Sequence, residues 1–312
     1  MKISIITPCF NEELNIEECI KRVSDLFKED LKEYDYEHIF TDNSSTDNTF
    51  DILKTFAKNN KKIKLIRNSK NIGAFKNIYH ALEYTTGDLI VTQLAADLQD
   101  RPEVIKELVQ TMQQNSSEIV FGVRVNRKEN FITKFFRDIF YYLFNKFSEL
   151  DIPKGTGEFS LITKNVKEII VNINDTNPFL RGMLSQIGLP TSFVEFDWDK
   201  RKFGKSKTNF VQNFDSAING ILYVSKKPAR FFTFLGFLIS AGSVFYGIVS
   251  LYLILSGNSS AEPGIPTIIL LLVFFAGIQF LILGLLIEYI FSIYKSVRPN
   301  VSHVVVESIN FE

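Results

Sequence analysis

The chain has 312 residues, 46% of them hydrophobic, and its 35 Lys and Arg balance 35 Asp and Glu to a formal net charge of zero. With 16 Gly, 9 Pro and ordinary charge content, the composition excludes a collagenous or wholly disordered chain, and the charge balance gives no bulk attraction to nucleic acid. The two cysteines, Cys9 and Cys19, are too few and wrongly spaced for a thiolate zinc site or a disulfide framework, and they read as free thiols in a reducing compartment.

The first part of the chain alternates short β-branched runs with longer helical patterns. Strands are predicted at Lys2 to Ile6, Tyr36 to Thr41, Ile63 to Arg67, Leu89 to Thr92 and Ile119 to Val123, and helices at Glu13 to Phe27, Thr46 to Lys58, Phe75 to Tyr84 and Pro102 to Gln113. This order predicts an α/β domain, a mostly parallel sheet with helices on both faces, whose ligands lie beyond the C-terminal ends of the strands. The apolar stretch Ile3 to Ile6 is too short for a signal-peptide core and is followed at once by Pro8.

The loops after the strands are polar and acidic. Asp47 and Ser45 read as helix caps, whereas Asp42 stands before the cap region and is a candidate acceptor for a ligand's N–H or hydroxyl groups. Asp97 and Gln99, with Asp100 adjacent, place hard oxygen donors in one tight turn, as Mg2+ or Mn2+ requires when water and phosphate supply the other ligands. The same turn is also ordinary chemistry before Pro102.

Beyond the fifth strand, Phe131 to Phe147 repeats apolar residues at helical spacing with cations between them, which suits either an interfacial or a core helix. Arg201 to Lys207 contains Gly-Lys-Ser, but Asp199 stands where a P-loop needs its first glycine, so that reading is rejected. Phe210, Phe214, Ala217, Ile218, Ile221 and Leu222 form a stripe that predicts an interfacial helix just before Lys226 and Lys227.

Residues 231–312 carry only Lys295 and Arg298 against Glu262, Glu288, Glu307 and Glu312. Phe231 to Leu255 and Ile265 to Ile287 are uncharged runs of 25 and 23 residues. At about 1.5 Å per residue each exceeds a hydrocarbon core of roughly 30 Å, and the short connector Ser256 to Gly264 makes them a hairpin. Lys226, Lys227, Arg230, Lys295 and Arg298 flank the spans while the connector has no basic residue, so both chain ends are expected on the cytosolic side of the lipid bilayer. Glycines and serines give the spans small faces, and Gln279 is placed to bond to a neighbouring helix, within the chain or in a homo-oligomer. The expected organisation is a cytosolic catalytic domain at 1–208, a juxtamembrane helix at 209–230, two transmembrane helices within 231–290 and a cytosolic tail at 291–312. Val301 to Ile309 reads as a strand that joins a sheet in its own or another subunit.

Taken together, Pro8-Cys9-Phe10-Asn11-Glu12-Glu13, Asp42-Asn43-Ser44-Ser45-Thr46-Asp47, Asn71-Ile72-Gly73, Asp97-Leu98-Gln99-Asp100, Gly122-Val123-Arg124 and the double span resemble the family 2 glycosyltransferases over nearly the whole chain. More narrowly, the chain resembles the polyprenyl-phosphate glycosyltransferases. The resemblance implies a GT-A (Rossmann-like) fold, a nucleotide-diphosphate sugar as donor with a UDP-sugar favoured, a divalent metal, inversion at the anomeric carbon and polyprenyl phosphate as acceptor.

By the same resemblance, Pro8, Phe10, Glu12, Asp42, Asn71, Ala96 and Asp97 bind the nucleotide sugar, and Asp97 with Gln99 holds the metal. Asp97, Asp100 and Glu158 are the implied catalytic carboxylates, Glu158 standing in the acidic position of the family's Gly-Asp-Phe-Arg segment. Arg124, Lys134, Arg137, Arg201, Lys205 and Lys207 are the implied cations for the acceptor phosphate or the diphosphate, with Arg127 a further candidate, since an Arg fork donates two parallel hydrogen bonds to phosphate. The chain departs from the family at Ala95 and Asn43, where acidic residues are usual. A phosphate acceptor is already ionised near neutral pH, so transfer is expected to rest on placement and charge stabilisation rather than on a strong base. A polysaccharide or diacylglycerol acceptor, and an inactive membrane scaffold, are the alternatives.

Overall fold

The computed structural model describes residues 1–125, 155–175, 178–199, 265–297 and 304–311, with the single positions 153, 201, 203, 238, 245, 252 and 256. In chain order these form β1 (Lys2–Cys9), α1 (Ile16–Glu29), β2 (Asp35–Asp42), α2 (Thr49–Asn59), β3 (Ile63–Asn68), α3 (Ala74–Glu83), β4 (Leu89–Val91), α4 (Val104–Asn115), β5 (Ile119–Val125), β6 (Thr156–Thr163), α5 (Lys164–Ile173), α6 (Leu180–Gln186), β7 (Thr191–Asp197), α7 (Ile265–Val297) and β8 (Val305–Ile309). All strands and helices expected in the first 125 residues are present, with ends shifted by a few residues. Helices α1 and α2 begin later than their sequence patterns because the residues just before them bond to one another. The amide N–H of Asn48 donates to Glu13 Oε2 at 3.0 Å, and Asp47 Oδ1 accepts from Thr49 N–H at 3.0 Å. Sequence reading missed β6, α5, α6 and β7; β6 opens on Thr-Gly-Glu and is buried along both faces, so it shows no alternation.

The strands form one sheet in the order β7-β5-β6-β4-β1-β2-β3-β8. Pairings make β1 to β5 and β7 parallel, with β6 and β8 antiparallel to them. The C-terminal ends of the parallel strands and the first residues of β6 therefore share one edge. Both faces are covered, as a parallel sheet requires. Ile3, Ile5, Leu65 and Val91 pack with α1, α2 and α4 on one side, while Ile6, Ile90, Ile119 and Phe121 pack with α3, α5 and α6 on the other.

The tail strand joins its own chain's sheet. β8 pairs antiparallel with the outer side of β3, placing Leu65 opposite Ile309 and Arg67 opposite Glu307. Lys54 Nζ donates to Glu307 Oε1 at 2.5 Å, and Asn310 Nδ2 donates to the carbonyls of Ala57 and Ile63 at 2.7 and 2.8 Å. Upstream of it, α7 contains the whole second expected span. Its 33 residues correspond to about 50 Å of helix, and Ile268, Leu272, Phe274, Ile287 and Ile293 all expose more than half of their surface. Among the described residues no membrane span is identified. The first expected span, the juxtamembrane helix and the 131–147 helix lie essentially outside the described residues.

His38 in β2 is fully buried, with Nε2 2.8 Å from Thr7 Oγ1 and its ring 4.0 Å from that of Phe40. Burial pushes its pKa from the ordinary 6.5 down to about 3. As pH falls below about 6.5 the unfolded chain takes up this proton first, so the stability is complete above that pH and is lost progressively toward pH 3. Denaturant unfolding of His38→Gln should show a stability loss between pH 7 and pH 4.5 smaller than that of the natural chain by about 2–3 kcal/mol. Identical pH slopes for the two proteins would rule out this role.

Candidate active site

The loops after β1 and β2 are stitched together at the C-terminal edge. Asn11, at φ 55°, donates its backbone N–H to Ser45 Oγ at 2.9 Å and accepts the Thr46 N–H on Oδ1 at 2.7 Å. Ser45 is thus a partner for the first loop and not the helix cap expected, whereas Asp47 does bond to the first turn of α2. The Glu12 N–H donates to Thr49 Oγ1 at 2.7 Å. These bonds hold the half-buried Pro8 and Phe10 and the Glu12 side chain beside the end of β2.

Asp42 closes β2 with no exposed surface. Its carboxylate accepts from the Ser45 N–H at 3.2 and 3.3 Å and lies 3.5 Å from Arg67 Nε. Burial pushes its pKa up, against those bonds and the Arg67 charge. Asn43 explains itself through its amide: Nδ2 donates to Asn71 Oδ1 at 2.8 Å while Oδ1 accepts the Ile72 N–H at 3.0 Å. An aspartate could still accept the Ile72 N–H but has no N–H for Asn71, so the asparagine adds the second bond that fastens the Asn71-Ile72-Gly73 loop to β2.

The acidic turn after β4 reverses at Leu98, whose φ is 58°, and the Gln99 N–H donates to Asp97 Oδ1 at 3.2 Å. Burial pushes the Asp97 pKa up, with Glu12 and Asp100 adding negative charge and Arg201 opposing them. Gln99 is joined to the segment after β7, its Nε2 donating to the Asp199 carbonyl at 3.1 Å and its carbonyl accepting the Asp199 N–H at 3.2 Å. The side chain of Ala95 offers no oxygen, and among the described residues no three His, Cys, Asp or Glu gather into a metal cluster. Asp97, with Glu12 nearby, is nevertheless a half-buried hard-oxygen site with surplus negative charge, which suits a hard divalent ion completed by water and phosphate.

Asp100, fully buried, forms a bidentate pair with Arg124, at 2.7 Å from Nε and 2.6 Å from Nη2. Two groups that sequence reading gave separate roles thus neutralise one another. The Arg124 guanidinium also lies over Trp198, 5.7 Å from the ring centre, and a Cβ on Gly157 would come within 2.9 Å of it. Gly157 is therefore the space in which Arg124 turns toward Asp100.

Glu158 enters from the start of β6 and is buried. Burial pushes its pKa up, while Arg181 and Arg124 draw it down, and its Oε2 accepts the Arg181 N–H at 3.1 Å. Arg181, at the start of α6, is the residue that sequence reading missed. Its guanidinium donates to the Thr156 carbonyl, and its buried Nε has no hydrogen-bond partner among the described residues. The available signal was a single cation inside the apolar run Pro178-Phe179-Leu180-Arg181-Gly182-Met183-Leu184.

Arg201 crosses from the other side. Nη2 lies 2.5 Å from Glu12 Oε2 and Nη1 lies 3.5 Å from Asp97 Oδ2. The structure therefore brings together Glu12, Asp42, Asp97, Asp100, Arg124, Glu158 and Arg201 along one edge. Arg127, Lys134, Arg137, Lys205 and Lys207 lie outside the described residues.

Residues 4–169 match the family described as Glycosyl transferase family 2. The uncharacterized glycosyltransferase YkcC of Bacillus subtilis (strain 168) is 32% identical over 313 residues, covering 100% of this chain and 95% of that protein. The prophage bactoprenol glucosyl transferase homolog of Escherichia coli (strain K12) is 31% identical over 307 residues, covering 98% of each. Among solved structures, residues 1–349 of S. aureus TarS in complex with UDP-GlcNAc align at a TM-score of 0.46 and 16% identity, over 72% of this chain and 66% of that one.

Proposed function

The chain belongs to glycosyl transferase family 2 and is a glycosyltransferase, and we propose that it inverts the anomeric carbon of a nucleotide-diphosphate sugar, a UDP-sugar being favoured, while transferring the sugar to polyprenyl phosphate. The observation that carries the donor side is the set of carboxylates at the C-terminal edge of the sheet, the buried Asp42 with the half-buried Glu12 and Asp97 that share Arg201. The acceptor reading is supported by full-length similarity to proteins named bactoprenol glucosyl transferases.

In this reading Asp97 and Gln99 would hold Mg2+ or Mn2+, which supplies positive charge for the departing diphosphate. Asp42 receives donor hydroxyl or N–H groups, and the fastened Asn71-Ile72-Gly73 loop bounds the nucleotide side. The Asp100–Arg124 pair fixes the acidic turn against β5, so that Asp97 faces the donor with little freedom to relax. Glu158 and Arg181 shape the neighbouring wall, where an acceptor phosphate oxygen must stand in line with the anomeric carbon.

We place the catalytic domain on the cytosolic face of a membrane, with the chain crossing twice. Exposed apolar residues on α7 and at Leu238, Phe245 and Tyr252 support a non-aqueous surrounding. The sheet pairing supports an even number of crossings: the chain leaves the sheet after β7 and re-enters it at β8, so both ends lie on one side.

The test is purified full-length protein with undecaprenyl phosphate, Mn2+ and a panel of UDP- and GDP-sugars, read by nucleoside diphosphate release and product mass. Release that depends on lipid phosphate, with a hexose added to it, is expected. Transfer to diacylglycerol alone, or no turnover with any donor, would overturn the acceptor reading.

A further inference from the structure

Arg201 holds the carboxylates that the proposed donor-metal site needs. Its Nη2 lies 2.5 Å from Glu12 Oε2, which also accepts from Asn15 Nδ2 at 2.7 Å, and its Nη1 lies 3.5 Å from Asp97 Oδ2. Its Nε donates to the Phe203 carbonyl at 2.6 Å, so the guanidinium is oriented by its own loop. The pairs are sheltered, with side-chain exposures of 16% for Arg201, 13% for Glu12 and 13% for Asp97. The loop that carries Arg201 is itself anchored to the acidic turn through Gln99 and Asp199. Nearby Asp100 is already neutralised by Arg124, so one guanidinium faces two carboxylates.

A divalent ion on Asp97 Oδ2 would stand within a few Å of this guanidinium, and the two cations repel across a poorly solvated site. A diphosphate reverses that relation, because its oxygens accept the same N–H fork that Glu12 and Asp97 now occupy. We infer that Arg201 is a built-in counter-cation for Glu12 and Asp97, displaced by the divalent ion and received by the donor's diphosphate. Metal and nucleotide diphosphate then bind as a coupled pair, and metal alone binds weakly. The coupling is reciprocal, so removing Arg201 relieves the metal and penalises the diphosphate. This inference rests on the donor-metal reading of the site.

The experiment measures Mn2+ binding to the detergent-solubilised full chain by electron paramagnetic resonance of free Mn2+, with and without UDP. Arg201→Gln should bind Mn2+ alone about 10-fold more tightly than the natural chain, and the tightening produced by UDP should shrink by about the same factor. Arg201→Lys retains the charge and should keep Mn2+ binding weak, which separates charge from altered folding. An unchanged or weaker affinity of Arg201→Gln for Mn2+ alone overturns the inference while leaving the site reading intact. Absence of Mn2+ binding in every protein, with and without UDP, overturns the site reading and the inference with it.

Discussion

Asp97→Asn is expected to lower the transfer rate by about 10²–10³-fold, the usual loss when one charge-stabilising group is removed from a preorganised site. The substitution is nearly isosteric, and the amide oxygen still accepts the Gln99 N–H that fixes the turn. What disappears is the one carboxylate of the Ala95 to Asp100 turn that is not held in a bidentate pair, since Asp100 belongs to Arg124. Initial rates at saturating Mn2+ and lipid phosphate, with a melting curve for each protein, check the result. Full activity in Asp97→Asn, or full activity of the natural chain in EDTA, would remove Asp97 from the metal role.

Glu37→Ala should destabilise the domain by about 3–5 kcal/mol, because it removes the buried carboxylate on which the half-buried Lys2 and Lys64 and the buried Ser4 converge. Only 1% of Glu37 is exposed. Its carboxylate lies 2.7 Å from Lys2 Nζ and 3.0 Å from Lys64 Nζ and accepts from Ser4 Oγ at 2.6 Å and from the Thr86 N–H at 2.7 Å. Burial alone would push its pKa up, but the bonds from Lys2, Ser4, Thr86 and Lys64 outweigh it and hold the value at about 2. The sign follows from that depression: the contribution is complete above the unfolded value near 4.5 and is lost as pH falls through about 2. This window overlaps that of His38 between about pH 4.5 and pH 3, so the loss of stability with acid should steepen below about pH 4.5, where both groups contribute. Glu37 sits at the start of the sheet strands, opposite the active-site edge, and transfer by the folded variant should be unchanged at low temperature. A melting temperature within 2–3 °C of the natural chain would contradict the assignment, since a loss of this size corresponds to roughly 10 °C in a domain of this length.

Glu37 was invisible to sequence reading for a physical reason. In Asp35-Tyr36-Glu37-His38 the run looks like the polar entry to a strand, and nothing local shows that Ser4, Lys64 and Thr86 converge on one carboxylate. Asp42 and Asp97 were legible because their setting is local. Asp42 closes an apolar strand and Asp97 stands in the polar turn that follows one, and in a parallel sheet those ends face the ligand. Arg124 and Asp100 were legible as charged residues at such ends, but not as a pair, since 24 residues and a strand crossing separate them.

The tail shows the same division. Its β-branched alternation announced a strand, while the choice between its own sheet and another subunit was made by the open side of β3 and by Lys54 and Asn310 contacts spanning 253 residues. By itself, the sequence determined the alternating α/β elements, the acidic strand ends, the apolar C-terminal run and membership of the family, all properties of spacing along the chain. Tertiary structure alone decided which charge meets which: Asp100 with Arg124, and Arg201 with Glu12 across 189 residues. Hydrophobic periodicity repeats over a few residues and can be read locally, whereas an ion pair depends on strand order and loop approach, which exist only once the sheet has closed.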